Sequence, residues 1–188
     1  SMTNPILLEI PEELLSQRLA LRMPRPGQGR AIAEAINASL GELRPFMSFA
    51  QSETTPEACE LELRRDHAAF ILRERLMFQV FLRSSDVFLG EIGFRRLNWD
   101  VPKFEISYWL DSRHARQGFM TEAAHTLIQC AFETLGAARV DIRCASSNAA
   151  SRRVAEKLRF TLEATLRNSM VYGDGSPADE CVYARVTA

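Results

Sequence analysis

An amphipathic helix that begins at Gly118 and ends at Gly136 is the segment that most constrains the fold of this chain. Its apolar residues recur at steps of three and four positions, and they are Met120, Ala124, Leu127, Ala131 and Leu135. The polar residues fall on the opposite side, and they are Glu122, His125, Gln129 and Glu133. This periodicity predicts one buried face, and a terminal glycine is a common C-cap. Because residues 104–110 and 140–144 are predicted strands, the helix between them is expected to cross over a sheet.

The remaining elements predict a mixed sheet with helices packed against it. Residues 18–22 alternate polar and apolar side chains, which is typical of a strand. An Ala- and Ile-rich helix then ends near Leu40, and Thr55 followed by Pro56 begins a second helix that runs to about Arg75. Further strands are predicted over residues 77–83, 87–97, 160–172 and 181–186, and a further helix over residues 148–158. We therefore expect an α/β protein of the α+β kind, with a largely antiparallel central sheet of about seven strands flanked by helices.

Length and composition favour a single domain over residues 1–188. The formal net charge is -1 and the hydrophobic content is 46%, so we expect no direct contact with nucleic acid. No apolar run approaches the ~20 residues of a membrane span. The Ser1-Met2 start carries no basic and apolar export signal, and the scattered cysteines show no metal-ligand spacing. A cytoplasmic protein without a metal site is therefore expected.

The start of the Gly118 helix is suited to bind a phosphate or a pyrophosphate. A helix N-terminus offers unpaired N–H groups and the positive end of the helix dipole. Arg113 and Arg116 add positive charge beside it, and Gly118 has no Cβ to obstruct an approaching anion. The alternative is a packed strand-to-helix turn with solvated arginines, and the spacing alone does not decide between the two.

Four blocks of the sequence resemble the GNAT N-acetyltransferases, most closely the RimJ/RimL type that acetylates ribosomal proteins at their N-termini. The blocks are Ser16–Arg22, Glu105–Leu110, Gly118–Ala123 and Asn148–Phe160. The resemblance implies the GNAT fold and an enzyme that moves an acetyl group directly from acetyl-CoA to a primary amine. It also implies that the coenzyme contacts Trp109, Leu110, Arg113, Arg116, Gln117, Gly118, Phe119, Met120, Thr121 and Asn148.

The sequence departs from the pattern of this branch at several positions. Arg116 stands where a glycine is usual, and Phe46 and Phe49 stand where tryptophans are usual. Other departures are Ala115, Ser107 and Arg159. We expect the two phenylalanines either to line the groove for the acceptor or to join a dimer, so both a monomer and a homodimer remain open.

Direct transfer requires a base for the amine and a hydrogen-bond donor for the leaving sulfur. Glu105 alternates with Ser107 and Trp109 on one face of a predicted strand, and a carboxylate in a partly dry cleft acquires a raised pKa. The pattern alone also fits a surface glutamate at this position. Glu91 and His114 are rival bases.

Ser151 is the candidate donor to the departing sulfur. It shares a helix stripe with Val154, Ala155 and Leu158, so its hydroxyl is predicted to point toward the buried side. Many enzymes of the family place a tyrosine four residues later, where this chain has Ala155. A hydrogen bond to its own helix backbone is the alternative role for Ser151.

The acceptor is expected to be an amine of moderate pKa. An α-amine with a pKa of about 7.7–8.0 is roughly 10–20% neutral at pH 7, whereas a lysine amine near 10.4 is about 0.04% neutral. This favours a protein N-terminus, as the resemblance implies, or a small amine such as an antibiotic, a polyamine or an amino acid. A coenzyme-A-binding protein without turnover is the third hypothesis.

Overall fold

A computed structural model describes residues 3–187, so the Ser1-Met2 start lies outside the described part of the chain. The five α-helices are α1 Gly29–Ala38, α2 Leu40–Leu43, α3 Pro56–Ile71, α4 Phe119–Glu133 and α5 Ala149–Lys157. The eight strands are β1 Glu13–Leu15, β2 Leu19–Arg22, β3 Leu76–Leu82, β4 Phe88–Asn98, β5 Lys103–Leu110, β6 Arg139–Ala145, β7 Thr161–Val171 and β8 Pro177–Val186. No helix within residues 3–187 combines the length and the apolarity needed to cross a membrane.

The strands form one sheet in the order β1-β2-β3-β4-β5-β6-β8-β7. Among the strands of residues 3–187, only β5 and β6 pair in parallel, which confirms the mixed and largely antiparallel sheet expected from the sequence. The sheet has eight strands rather than seven because β1, only three residues long, pairs with β2. The last strand also begins at Pro177, four residues earlier than expected, because it pairs with β7 back to Val171.

Helices cover both faces of the sheet. The larger core cluster joins α4 to alternate residues of the central strands, among them Phe104 and Ile106 of β5 and Val140 and Ile142 of β6. A smaller cluster on the opposite face joins α1 and α3 to Trp109 and Phe88. Residues of β5 therefore point alternately toward α4 and α5 on one face and toward α1 and α3 on the other.

Strands β5 and β6 separate halfway along their length. They pair from Lys103 with Arg139 to Ile106 with Ile142. Beyond that point, residues 107–110 of β5 pair only with β4, and residues 143–145 of β6 pair only with β8. A register shift in β4 between Phe94 and Arg96 lies beside the point of separation, and such a bulge bends a strand. We call the opening between residues 107–110 and residues 143–145 the wedge.

Candidate functional site

The turn between β5 and α4 leaves the start of the helix open. Gly118 is the N-cap, its φ of 77° is left-handed, and no side chain caps the helix. Because the first N–H groups of a helix have no intrahelical partner, they remain available to a ligand. Arg116 also has a left-handed φ, of 64°. It therefore adopts a conformation that glycine adopts without strain, at the position where the sequence pattern that this chain resembles has glycine.

Arg113 is held in this turn by the buried carboxylate of Asp111. The guanidinium Nη2 lies 2.7 Å from Asp111 Oδ2, and the Arg113 backbone N–H donates to Oδ1. Burial would raise the pKa of Asp111, but the hydrogen bonds from Arg113 outweigh it and hold the pKa below its ordinary value. Arg113 is therefore fixed beside the turn although it is exposed, as Arg116 and Gln117 are.

One face of the wedge carries a pair of hydroxyl groups. Asn148 caps α5 by accepting a hydrogen bond from the Ser151 backbone N–H. This cap places Ser151 at the first turn of α5, with its Oγ 2.6 Å from the hydroxyl of Tyr108 on β5. Burial raises the pKa of Tyr108, so its phenol stays protonated at neutral pH. Tyr108 is not among the residues predicted from the sequence, although it stands within the Glu105–Leu110 block on the face opposite to Glu105.

The other face of the wedge carries Glu105, in line with Ser107 and Trp109. Its carboxylate lies 3.6 Å from Arg96 Nη1, and its side chain is 22% exposed. Burial raises the pKa of Glu105, although Arg96 and Arg143 act in the opposite direction. Glu105 stands one residue before the last residue of β5 that pairs with β6, so it lies at the closed end of the wedge.

Glu91 lies on the same face of the sheet as Glu105, and it stands beside Trp109 because these two residues are partners in the pairing of β4 with β5. Burial of the carboxyl group and the nearby Asp66 raise the pKa of Glu91 to about 7. The residue retains some exposed surface, whereas its carboxyl group is enclosed. His114, the other rival base, lies in a 3-10 turn that follows Asp111, and not on the strand that carries Glu105.

The aromatic segment of residues 44–50 spans the wedge on the face of Glu105. The ring of Phe49 lies 6.1 Å from the ring of Trp109, and the ring of Phe46 lies 6.3 Å from that of Tyr172. The carbonyl of Pro45 accepts a hydrogen bond of 2.9 Å from the backbone N–H of Gly173. The segment therefore connects β5 with the turn between β7 and β8.

A cavity of about 490 Å³ lies beside Glu105 on this open face. Four cationic side chains line it, and they are Arg95, Arg96, Lys103 and Arg143. Three carboxylates also line it, and they are Glu74, Glu105 and Asp141. Asp141 is already matched by Arg139, whose Nε lies 2.5 Å from Oδ1. The cavity is therefore polar and not acidic overall.

A second cavity, of about 550 Å³, lies beside the first turns of α4 and is lined by Gly118, Thr121 and Arg18 among others. Within residues 3–187, no group of three or more His, Cys, Asp or Glu side chains is arranged to hold a metal ion.

Comparison with known proteins adds a family model and several relatives. The model for the acetyltransferase (GNAT) domain matches residues 18–161. An uncharacterized N-acetyltransferase of Bacillus subtilis (strain 168), YoaA, is 30% identical over 157 residues, which cover 82% of this chain and 87% of that protein. The ribosomal-protein-serine acetyltransferase of Escherichia coli (strain K12) is 33% identical over 110 residues, 58% of this chain and 60% of that protein.

Solved structures share the fold at lower identity. RimL, a ribosomal L7/L12 alpha-N-protein acetyltransferase in complex with coenzyme A, superposes with a TM-score of 0.86 at 23% identity, over 93% of this chain and 98% of that one. MccE, a microcin C7 self-immunity acetyltransferase in complex with acetyl-CoA and AMP, gives a TM-score of 0.85 at 18% identity, over 92% and 94%.

Proposed function

The chain belongs to the acetyltransferase (GNAT) family, and on that basis we propose that it transfers the acetyl group of acetyl-CoA to a protein N-terminal α-amine. We further propose that residues 1–188 act as one catalytic domain. The observation that carries the proposal is the wedge, which has an uncapped helix N-terminus at its open end and a partly buried carboxylate at its closed end.

The coenzyme would bind along the wedge, where it supplies an activated thioester. Its pyrophosphate would lie against the N–H groups near Gly118, Phe119 and Met120, with positive charge from Arg113 and Arg116. Gln117 and Thr121 would complete this turn. The pantetheine arm would pass Trp109 and Leu110 on one side and Asn148 on the other. The available N–H groups at α4 and the gap in β5–β6 pairing support this placement.

Glu105 would accept the proton of the attacking amine, through water where the two do not touch. Its raised pKa brings the carboxylate closer to the pKa of an α-amine, which improves proton transfer near neutral pH. Ser151 would donate a hydrogen bond to the departing sulfur from the opposite face. Tyr108 supports this role, because a protonated phenol that donates to Ser151 Oγ leaves the serine proton free to face the sulfur.

The acceptor would enter beneath the segment of residues 44–50 and reach the cavity beside Glu105. A cavity with four cationic side chains against three carboxylates disfavours a polyamine, whose charges would require acidic walls. Phe46 and Phe49 would cover the entry of a peptide rather than form a dimer interface. The relatives named for ribosomal proteins support a protein N-terminus, and a carboxylate at the closed end of the wedge supports turnover over mere coenzyme binding.

A free-thiol release assay with acetyl-CoA tests the acceptor. The panel contains peptides with serine, alanine or methionine first, the same peptides with blocked N-termini, free amino acids, spermidine and an aminoglycoside. We expect release with open N-termini and none with blocked ones. Faster release with a free amino acid or an aminoglycoside would replace the peptide assignment with a small-molecule acceptor.

Two glutamine variants test the base. Glu105→Gln should lower kcat by ~100-fold or more and flatten the acidic limb of the pH–rate profile, because no carboxylate remains to be protonated there. Glu91→Gln is the matched control on the neighbouring strand and should change kcat little. Loss of turnover in the Glu91 variant with retention in the Glu105 variant would move the base to Glu91.

A further inference from the structure

Ser16 and Arg18, in the turn between β1 and β2, lie against the first turn of α4, although Arg18 and Gln117 are 99 positions apart in the chain. Arg18 Nε donates to Glu122 Oε1 over 2.8 Å, and Arg18 Nη1 donates to the carbonyl of Gln117 over 3.0 Å. The guanidinium also lies over the ring of Phe119, 4.4 Å from its centroid. A single side chain of the N-terminal strand region thus contacts the residues on both sides of Gly118.

Glu122 is the other half of this contact. Its Oε2 accepts a hydrogen bond of 2.5 Å from Ser16 Oγ and one of 2.9 Å from the backbone N–H of Arg18. Burial would raise the pKa of Glu122, but the hydrogen bonds from Ser16 and Arg18 outweigh it and lower the pKa. The carboxylate is therefore ionised at neutral pH, one turn into the helix whose N-terminus would receive the coenzyme phosphates.

An uncompensated carboxylate in that turn would repel a phosphate. Two like charges separated by less than a Debye length of about 8 Å are only partly screened at physiological salt. Arg18 supplies the compensating charge, and its third nitrogen, Nη2, lies 3.5 Å from the position that a Cβ on Gly118 would occupy. The bond to Gln117 also fixes the peptide unit that precedes Gly118.

Stability alone gives a weak reason for these contacts. The side chains of Arg18 and Glu122 are 42% and 20% exposed, and ion pairs at such positions contribute little to folding because solvent screens them. A role in the coenzyme site accounts for the positive charge of Arg18, for its position beside Gly118 and for its hydrogen bond to the carbonyl of Gln117.

We propose that Arg18 is a positioning residue of the coenzyme site. It neutralises Glu122 and holds the peptide before Gly118, so that the first turn of α4 presents its N–H groups to the phosphates without a competing negative charge. Ser16 and Arg18 are then part of the active site, contributed by the turn between β1 and β2. This inference rests on the proposed function, which places the coenzyme phosphates at the Gly118 turn.

Calorimetric titration with coenzyme A tests the proposal without knowledge of the acceptor. Arg18→Gln should raise the Kd for coenzyme A by about 10-fold, because it leaves the charge of Glu122 uncompensated beside the phosphates. Arg18→Gln combined with Glu122→Gln should recover most of that loss, since the double variant has no carboxylate to compensate. Arg22→Gln is the matched control, because Arg22, at the end of β2, also pairs with carboxylates and lies over an aromatic ring, that of Phe81, on the face opposite α4.

The outcomes separate this proposal from the placement of the coenzyme. An unchanged Kd in Arg18→Gln would overturn the role of Arg18, provided that Gly118→Val still abolishes binding. No recovery in the double variant would overturn the neutralisation of Glu122 by Arg18. A Gly118→Val variant that binds coenzyme A undiminished would instead show that the phosphates lie elsewhere. Equal weakening in Arg22→Gln would reduce the effect of Arg18 to a general loss of charge.

Discussion

Glu91 is a carboxyl group whose environment should make the stability of this protein depend on pH. Burial comes first among the causes that raise its pKa to about 7, and the negative charge of Asp66 adds to the effect. Gln79 Nε2 donates a long hydrogen bond of 3.4 Å to Glu91 Oε1, and the charge of Arg95 and a hydrogen bond from Trp109 lower the pKa without offsetting burial. Ionised Glu91 is therefore poorly solvated in the folded state, and glutamine is a near-isosteric replacement without a charge.

The size of the change in stability with pH follows from the pKa of Glu91 in the unfolded chain and its pKa in the folded protein. The ordinary pKa of 4.5 applies to the unfolded chain, and the folded value is about 7. A raised pKa means that the folded state keeps the proton longer, so Glu91 favours folding below pH 4.5 and this contribution is lost as the pH rises to 7. The difference of about 2.5 pKa units corresponds to about 3 kcal/mol of unfolding free energy, most of it lost between pH 5 and pH 8.

Urea unfolding of the natural protein and of Glu91→Gln at pH 5, 6, 7 and 8 measures this directly. The variant should be the more stable protein at pH 8, and its advantage should shrink by roughly 2–3 kcal/mol on going to pH 5. A difference in unfolding free energy that stays constant across this range would show that the Glu91 carboxyl titrates near its ordinary value, and the argument from burial would fail.

Two further predictions concern the wedge. Ser151→Ala should lower kcat by roughly 10- to 100-fold with little change in the KM for acetyl-CoA, and Tyr108→Phe should lower kcat by about 10-fold. The kcat of the double variant should fall by less than the product of the two effects, because both changes interrupt one hydrogen-bonded pair. Full activity of Ser151→Ala in steady-state assays would remove the serine from the chemistry. Replacing Phe46 and Phe49 by alanine should raise the KM of the acceptor without changing the mass in solution, whereas a smaller species in light scattering would place them in a subunit interface.

The sequence predicted the elements more completely than their arrangement. Local patterns were sufficient for α4, because its apolar period and its terminal glycines are encoded within 19 residues, from Gly118 to Gly136. Strand β1 was missed because Glu-Leu-Leu is too short to show alternation, and it becomes a strand only by pairing with β2. Helix α2 was not predicted because its four residues are too few to show a helical period.

The wedge itself was beyond a reading of local sequence. It exists because β5 pairs with β6 up to Ile106 and with β4 alone thereafter, and such pairing joins residues far apart in the chain. The same limit explains the contact of Arg18 with Glu122, since neither residue carries a local signal for the other. Alternation did predict that Glu105 shares a face with Ser107 and Trp109, because that property depends on β5 alone.

The pairing of Tyr108 with Ser151 bears on the absence of a tyrosine at position 155. Ala155 has no exposed surface and belongs to the larger core cluster, so a phenol at this position of α5 would displace packed neighbours. Tyr108 instead reaches across the wedge from β5, and its hydroxyl lies 2.6 Å from Ser151 Oγ without disturbing that core. Because burial keeps its phenol protonated, Tyr108 can donate a hydrogen bond but is a poor source of a proton for a thiolate of much lower pKa. The sulfur would therefore leave as a stabilised thiolate, and the loss of either hydroxyl should slow the reaction without abolishing it.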